Sequence, residues 1–376
     1  NLITGSVYSA LVGGKSNIVD GIASTLVGGR NNQITGDGSV LVGGNNNSVF
    51  GDDIVIVGGK DNTASGEFVN LFAGENNNVT GKASTIVAGR RNDINNSNDT
   101  SILAGNDNQI FNSDDSSLGA GSSNEISGST GCFISAGDSN KIYNSNDSSS
   151  VAGEGNDITG SDRSVIGGGF ANILSGSNDS SVNAGVSNKL QNSNKSLIGV
   201  GSGNIITESE TSVLVGGEAN KIQDSTTSIL GGGSGNLIKD STGVSLFGGK
   251  SNTVTGVESS LVGGDSNKIS GDRSVLVGGS GNLVFGDEIV LVGGKTNTAS
   301  GKFVTLFAGE NNNVTGTAST IVAGRENNIN ISNDCSINAG SGNDIIGSNR
   351  SSIEAGLNNS LSSSTSSVIL AGESNI

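Results

Sequence analysis

A glycine followed three residues later by asparagine recurs 24 times along these 376 residues, from Gly14/Asn17 through Gly29/Asn32 and Gly44/Asn47 to Gly372/Asn375, and no copy lacks its asparagine. A period this strict marks a stacked repeat array, in which each unit contacts its neighbours and chain length no longer predicts a number of globular domains. Ser39–Gly51, SVLVGGNNNSVFG, is a representative copy. The anchor glycines are spaced by 15 residues from Gly14 to Gly89, by 16 to Gly249, by 15 to Gly324 and by 16 to Gly372. The extra residue falls in the turn before the apolar strand, as NSNDSS (Asn144–Ser149) against GDGS (Gly36–Ser39) illustrates. Turns absorb it because Asn, Asp, Ser and Gly bond their own backbone or accept positive φ.

Successive strand side chains point to opposite faces, so parity separates inside from outside. Three residues before the anchors stand Leu11, Leu26, Leu41, Ile56, Leu71, Ile86 and their equivalents, with Ser150 the one non-aliphatic residue in 24. Five residues after come Val19, Ile34, Val49, Ala64, Val79 and Ile94, aliphatic in all 23 copies that reach so far. Both columns are expected to face inward. All ten Phe and both Tyr lie off them, so the core should be narrow and free of rings. The residue before the anchor is Gly or Ala except at Val200, which is expected to mark a close approach of the two walls. The reading is all-β: a parallel β-solenoid, or β-roll, of about 24 coils of 15–16 residues, continuous over residues 1–376. The 15-residue coils occupy about 1–89 and 250–324, the 16-residue coils about 90–249 and 325–376. At about 4.8 Å per coil the expected rod is roughly 115 Å long.

The recurring asparagine, including Asn47, Asn62, Asn77, Asn92, Asn282, Asn297, Asn312 and Asn327, is expected to form an internal structural ladder between coils. The absence of Pro suits a chain whose backbone N–H groups belong to inter-coil ladders. With no His and two Cys, zinc-finger, haem and Ser-His-Asp chemistry is excluded, and no catalytic residue, metal or cofactor is expected. Cys132 and Cys335 both stand five before an anchor, normally a Ser position, thirteen coils and roughly 60 Å apart on a straight axis. That separation forbids a bridge within one chain, and inert buried thiols are expected. A net charge of −16 spread through the turns argues against a nucleic-acid partner. Asp99, Asp115, Asp147, Asp179 and Asp334 share the position six before an anchor, but calcium needs six to eight oxygens, and turn capping is the expected role. The outward columns mix Lys, Asp, Gln and Phe, unlike the flat Thr array of an ice-binding face, and sequons such as Asn78-Val-Thr80 are expected by chance.

Function is therefore sought on the outer surface. Two before the anchor the 15-residue blocks carry Val42, Val57, Phe72 and Val87, then Val262, Val277, Val292, Phe307 and Val322, a candidate interface stripe. The same column in the middle block is patchier, with Gly119, Ser135, Gly167 and Asn183. Gly66–Arg90 returns almost unchanged as Gly301–Arg325, a segmental duplication.

The pattern SVLVGGxxNxxxG resembles the head repeats of YadA-like trimeric autotransporter adhesins, also found in phage and bacterial fibre proteins. The resemblance covers all 24 coils; it implies a left-handed β-roll, three copies packed side by side, outside a bacterial cell, binding host protein, matrix or glycan. The family repeat is shorter by a residue or two and carries Ala where this chain has Asn after the turn. The alternative is a structural filament: the repeat begins at Asn1 and ends at Asn375–Ile376 without visible caps, so copies could stack head to tail.

Overall fold

The computed structural model describes residues 1–376, which fall into two compact units, Asn1–Ser187 and Asn188–Ile376, each holding twelve of the 24 anchors. Each unit is all-β, with strands of two to six residues and no helix, and each is a parallel β-solenoid. In the first unit the strands preceding the anchors (Thr25–Val27, Val40–Val42, Val55–Val57, Asn70–Phe72) stack into one sheet, with Leu26, Leu41, Ile56 and Leu71 in register. The strands following the anchors form the facing sheet, in which Ile34, Val49, Ala64 and Val79 align. The second unit repeats the plan: Leu246, Leu261, Leu276, Leu291 and Leu306 in one sheet, Val284, Ala299, Val314 and Ile329 in the other.

These two aliphatic columns are the core, and every one of the residues just named is fully buried. Burial of a Val, Leu or Ile side chain contributes about 1.5–3 kcal/mol, and a core two side chains wide repeats that gain in every coil. All twelve Phe and Tyr are exposed. Ser150 is the exception within the column: buried between Ile134 and Ile166, its hydroxyl makes no hydrogen bond.

Asparagine closes one edge of each coil. The Asn140 backbone N–H donates to Asn124 Oδ1 at 3.0 Å, while its Nδ2 reaches Asn124 Oδ1, Ala136 O and Gly153 O at 3.1, 3.3 and 2.9 Å. The next coil repeats the arrangement, Asn156 N–H donating to Asn140 Oδ1 at 3.1 Å. The anchor glycine makes room for this amide: a Cβ on Gly44, at φ +84°, would overlap Asn47 Nδ2 and the Gly59 carbonyl of the next coil.

Serine closes the other edge. Five before the anchor, Ser148 accepts from Ser164 N–H at 3.1 Å and donates to Ser161 O at 2.7 Å. In the 16-residue coils a second row runs beside it, Ser113, Ser129, Ser145 and Ser161 each donating its N–H to the serine hydroxyl of the coil before. The 15-residue coils put a glycine there, such as Gly51, where a Cβ would overlap the Gly66 carbonyl.

The structure corrects one expectation and refines another. The residue before the anchor does not mark the approach of the walls: a Cβ on Gly13, Gly28 or Gly43 would meet open space, and it is φ of +71° to +76° that favours glycine there, with Ala73 and Ala308 holding the same position at +56° and +49°. Close approach belongs to the anchor itself. The inserted residue is a bulge at the serine edge. Thr315 pairs with Asn330 but Gly316 with Ser332, leaving Ile331 unpaired and 77% exposed at φ +49°. Asn96, at φ +50°, stands at the equivalent point of the first unit.

Candidate functional surfaces

Outside the core, the residues two before the anchors form one run in each unit. Val42, Val57 and Phe72 are in register, followed by Val87; in the second unit Val262, Val277, Val292 and Phe307 align, followed by Val322. All are 37–43% exposed except Val292, which is half-buried. Sequence reading missed a second row on the same face. Val40 and Val55 in the first unit, and Val275 and Val290 in the second, lie four before the anchor, at the same parity. The i, i+2 rule would have found them. In the middle coils this second row supplies Phe133 and Val165 where the first offers Ser135 and Gly167.

The facing sheet carries shallow depressions on its outer side. One, of about 550 Å³, lies where coil length changes and is lined by Ser65, Glu67, Thr80, Lys82, Asn95 and Asn96 among others. Its neighbouring ring, Phe68, is covered by Lys82 Nζ, 5.9 Å from the centroid. Two adjoining depressions of about 400 and 210 Å³ share Glu125 and Lys141. Here Gln109, Glu125, Lys141 and Asp157 align on successive coils, and beside them Phe111, Ser127, Tyr143 and Thr159. Phe111 and Tyr143 are 43% and 48% exposed, whereas Ser127, in register between them, is only 8% exposed. No lysine covers either ring; the covered ones are Phe68, Phe285 and Phe303.

Charged side chains pair across coils. Arg91 grips Asp107 through Nε and Nη2 at 2.5 and 2.7 Å, and Arg163 grips Asp179 at 2.6 and 2.9 Å. The Arg91 guanidinium holds the Asp107 carboxyl below the usual carboxylate range, and an Asn46 amide does the same for Asp61. These pairs are solvent-exposed, and exposed ion pairs contribute little to stability. No group of three or more Cys, Asp or Glu is gathered in a way that could hold a metal. Asp99, Asp115 and Asp147 occupy left-handed turn positions, at φ +51° to +53°.

Cys132 and Cys335 replace serine in the edge row. Cys132 Sγ donates to Ser145 O at 2.8 Å and its N–H to Ser116 Oγ at 3.1 Å. Burial pushes the Cys132 thiol up to about 11 and raises that of Cys335, so both stay protonated and unreactive near neutral pH.

No family model and no curated protein matches the chain. Among solved structures it is weakly similar to a putative acetyltransferase from Desulfovibrio desulfuricans, at 10% identity over 85% of this chain and 68% of that one, with a TM-score of 0.11. A likeness at that level carries no argument about fold or activity.

Proposed function

We propose that this chain is a non-enzymatic head or passenger segment of an extracellular adhesin or surface fibre, of bacterial origin. Copies of it assemble through the outer face of the sheet that precedes the anchors, three copies together being the favoured assembly. One observation carries the reading: the strands Val40–Val42, Val55–Val57, Val275–Val277 and Val290–Val292 are apolar on both faces, and only the inner face is covered. Strands apolar on both faces are ordinarily buried on both, and a run of this length marks an interface. The adhesive part of the proposal rests on the resemblance of the repeat to adhesin heads.

Sedimentation of the intact chain tests the assembly. A mass near three times the 37.2 kDa of one chain is expected, falling to a single chain in the double variant Val42→Asp, Val292→Asp. A monomeric wild type, or an assembly indifferent to both substitutions, overturns it.

A further inference from the structure

The strip formed by Gln109, Glu125 and Lys141 beside Phe111 and Tyr143 has what a carbohydrate site needs and lies on a sheet that the proposed assembly does not use. Sugar rings present apolar C–H faces and an equator of hydroxyl groups, so a site for them pairs an uncovered aromatic face with unengaged hydrogen-bonding side chains. Both are present. The side chains of Gln109, Glu125 and Lys141 make no hydrogen bond or ion pair within the chain, although each stacks directly on the next. Phe111 and Tyr143 stand two coils apart, about 9.6 Å at the usual strand spacing, with the small Ser127 as the floor between them. The two depressions run along this strip, parallel to the stacking direction of the coils.

We propose that this strip binds a linear chain of neutral hexoses lying along the coils, with two of its rings stacked on Phe111 and Tyr143. Its hydroxyls exchange hydrogen bonds with Gln109, Glu125 and Lys141. Charge selects the class of glycan. Asp107 is neutralised by Arg91, and what remains is Glu125 and Asp157 against Lys141 on a chain of net charge −16, which repels uronic or sulfated glycans. The same balance disfavours single-stranded nucleic acid, which needs a positive groove under its stacking platform. The inference deepens the adhesive reading by naming a ligand class, and it does not depend on assembly through the valine face.

Titration calorimetry of the full chain with hexamers of β-1,4-glucose, β-1,3-glucose and mannose tests it, with heparin and single-stranded DNA as polyanions. At least one neutral hexamer is expected to bind saturably and neither polyanion to bind. Tyr143→Ala and Phe111→Ala are each expected to weaken binding by about tenfold or more. Tyr143→Phe, which keeps the ring, stays within about threefold. Both side chains are exposed, and an unchanged thermal melt verifies the fold of each variant. Binding of no neutral hexamer, a Tyr143→Ala variant that binds as well as wild type, or preference for a polyanion overturns the proposal. The Val42→Asp, Val292→Asp variant keeps sugar binding, so loss of assembly and loss of the sugar site are read separately.

Discussion

At the asparagine edge all 24 coils carry the same residue, whereas the serine edge also accepts Thr100, Cys132 and Cys335 and, at Ile54, Val69, Val244, Ile289 and Val304, buried side chains with no polar atom. Both edges lie where the chain turns out of one sheet toward the other, and both must satisfy backbone groups cut off from water. The difference lies in how many bonds one side chain carries. In the 16-residue coils an asparagine such as Asn140 accepts through Oδ1 from the following coil and donates through Nδ2 to carbonyls on its own coil and the next. In the 15-residue coils Asn62 keeps the bond to the next coil, at Gly74 O, and adds one to Asn47 Oδ1. Asp lacks the donor, Gln is longer by a methylene, and Ala offers neither group. A serine hydroxyl carries one bond in and one out. Losing it costs about 1 kcal/mol net, which burial of an Ile or Val, at about 1.5–3 kcal/mol, offsets. Tolerance at an edge thus follows the balance between bonds lost and apolar area gained.

Asn140→Ala is the strongest way to break this comparison. It strips the acceptor from the Asn156 N–H and the donor from Ala136 O, while Gly153 O keeps the Asp138 N–H, and a loss of about 3 kcal/mol is expected at about 1–3 kcal/mol per buried group left unpaired. Hydrogen exchange at the Asn156 amide should accelerate together with a lowered melting temperature; an unchanged rate would mean the edge is held by something other than its amides. Ser164→Ala, in the same part of the chain, removes a hydroxyl that accepts from the Ser180 N–H and donates to Ser177 O, and is expected to cost less, about 1–2 kcal/mol by denaturant unfolding. A loss equal to that of Asn140→Ala would erase the distinction between edges. Ser150→Ala reverses the sign: removing a buried hydroxyl without a partner should stabilise by about 1 kcal/mol, seen as a higher denaturant midpoint.

The aliphatic columns and the asparagine row were legible because each repeats one residue type at one position, and parity alone assigns it to a face. The second serine row was not. Ser113, Ser129 and Ser145 sit among Asn, Asp and Ser in a segment whose composition suits any turn, and only the register reveals that their hydroxyls align. The glycine before the anchor was misread because Gly serves two purposes, sparing space and permitting positive φ, and sequence does not separate them. The strip at Phe111 and Tyr143 was hidden for the opposite reason. Gln109, Glu125 and Lys141 share no residue type, so nothing in the repeat flags them until the sheet stacks them at intervals of 16 residues.

The bulge at Ile331 bears on how such a chain can lengthen. Val314 still pairs with Ile329, and Asn327 N–H still donates to Asn312 Oδ1, on the core side of the extra residue. At Asn96 the same holds for Val79 with Ile94 and for Asn92 with Asn77. A coil of one length can therefore be spliced beside a coil of the other with no compensating change in either. Unequal recombination between repeats, which ordinarily destroys a protein when it shifts the frame of a packed interior, is harmless here if its single-residue errors fall at the serine edge. The near-identical segments Gly66–Arg90 and Gly301–Arg325, each running up to such a junction, look like the record of that freedom.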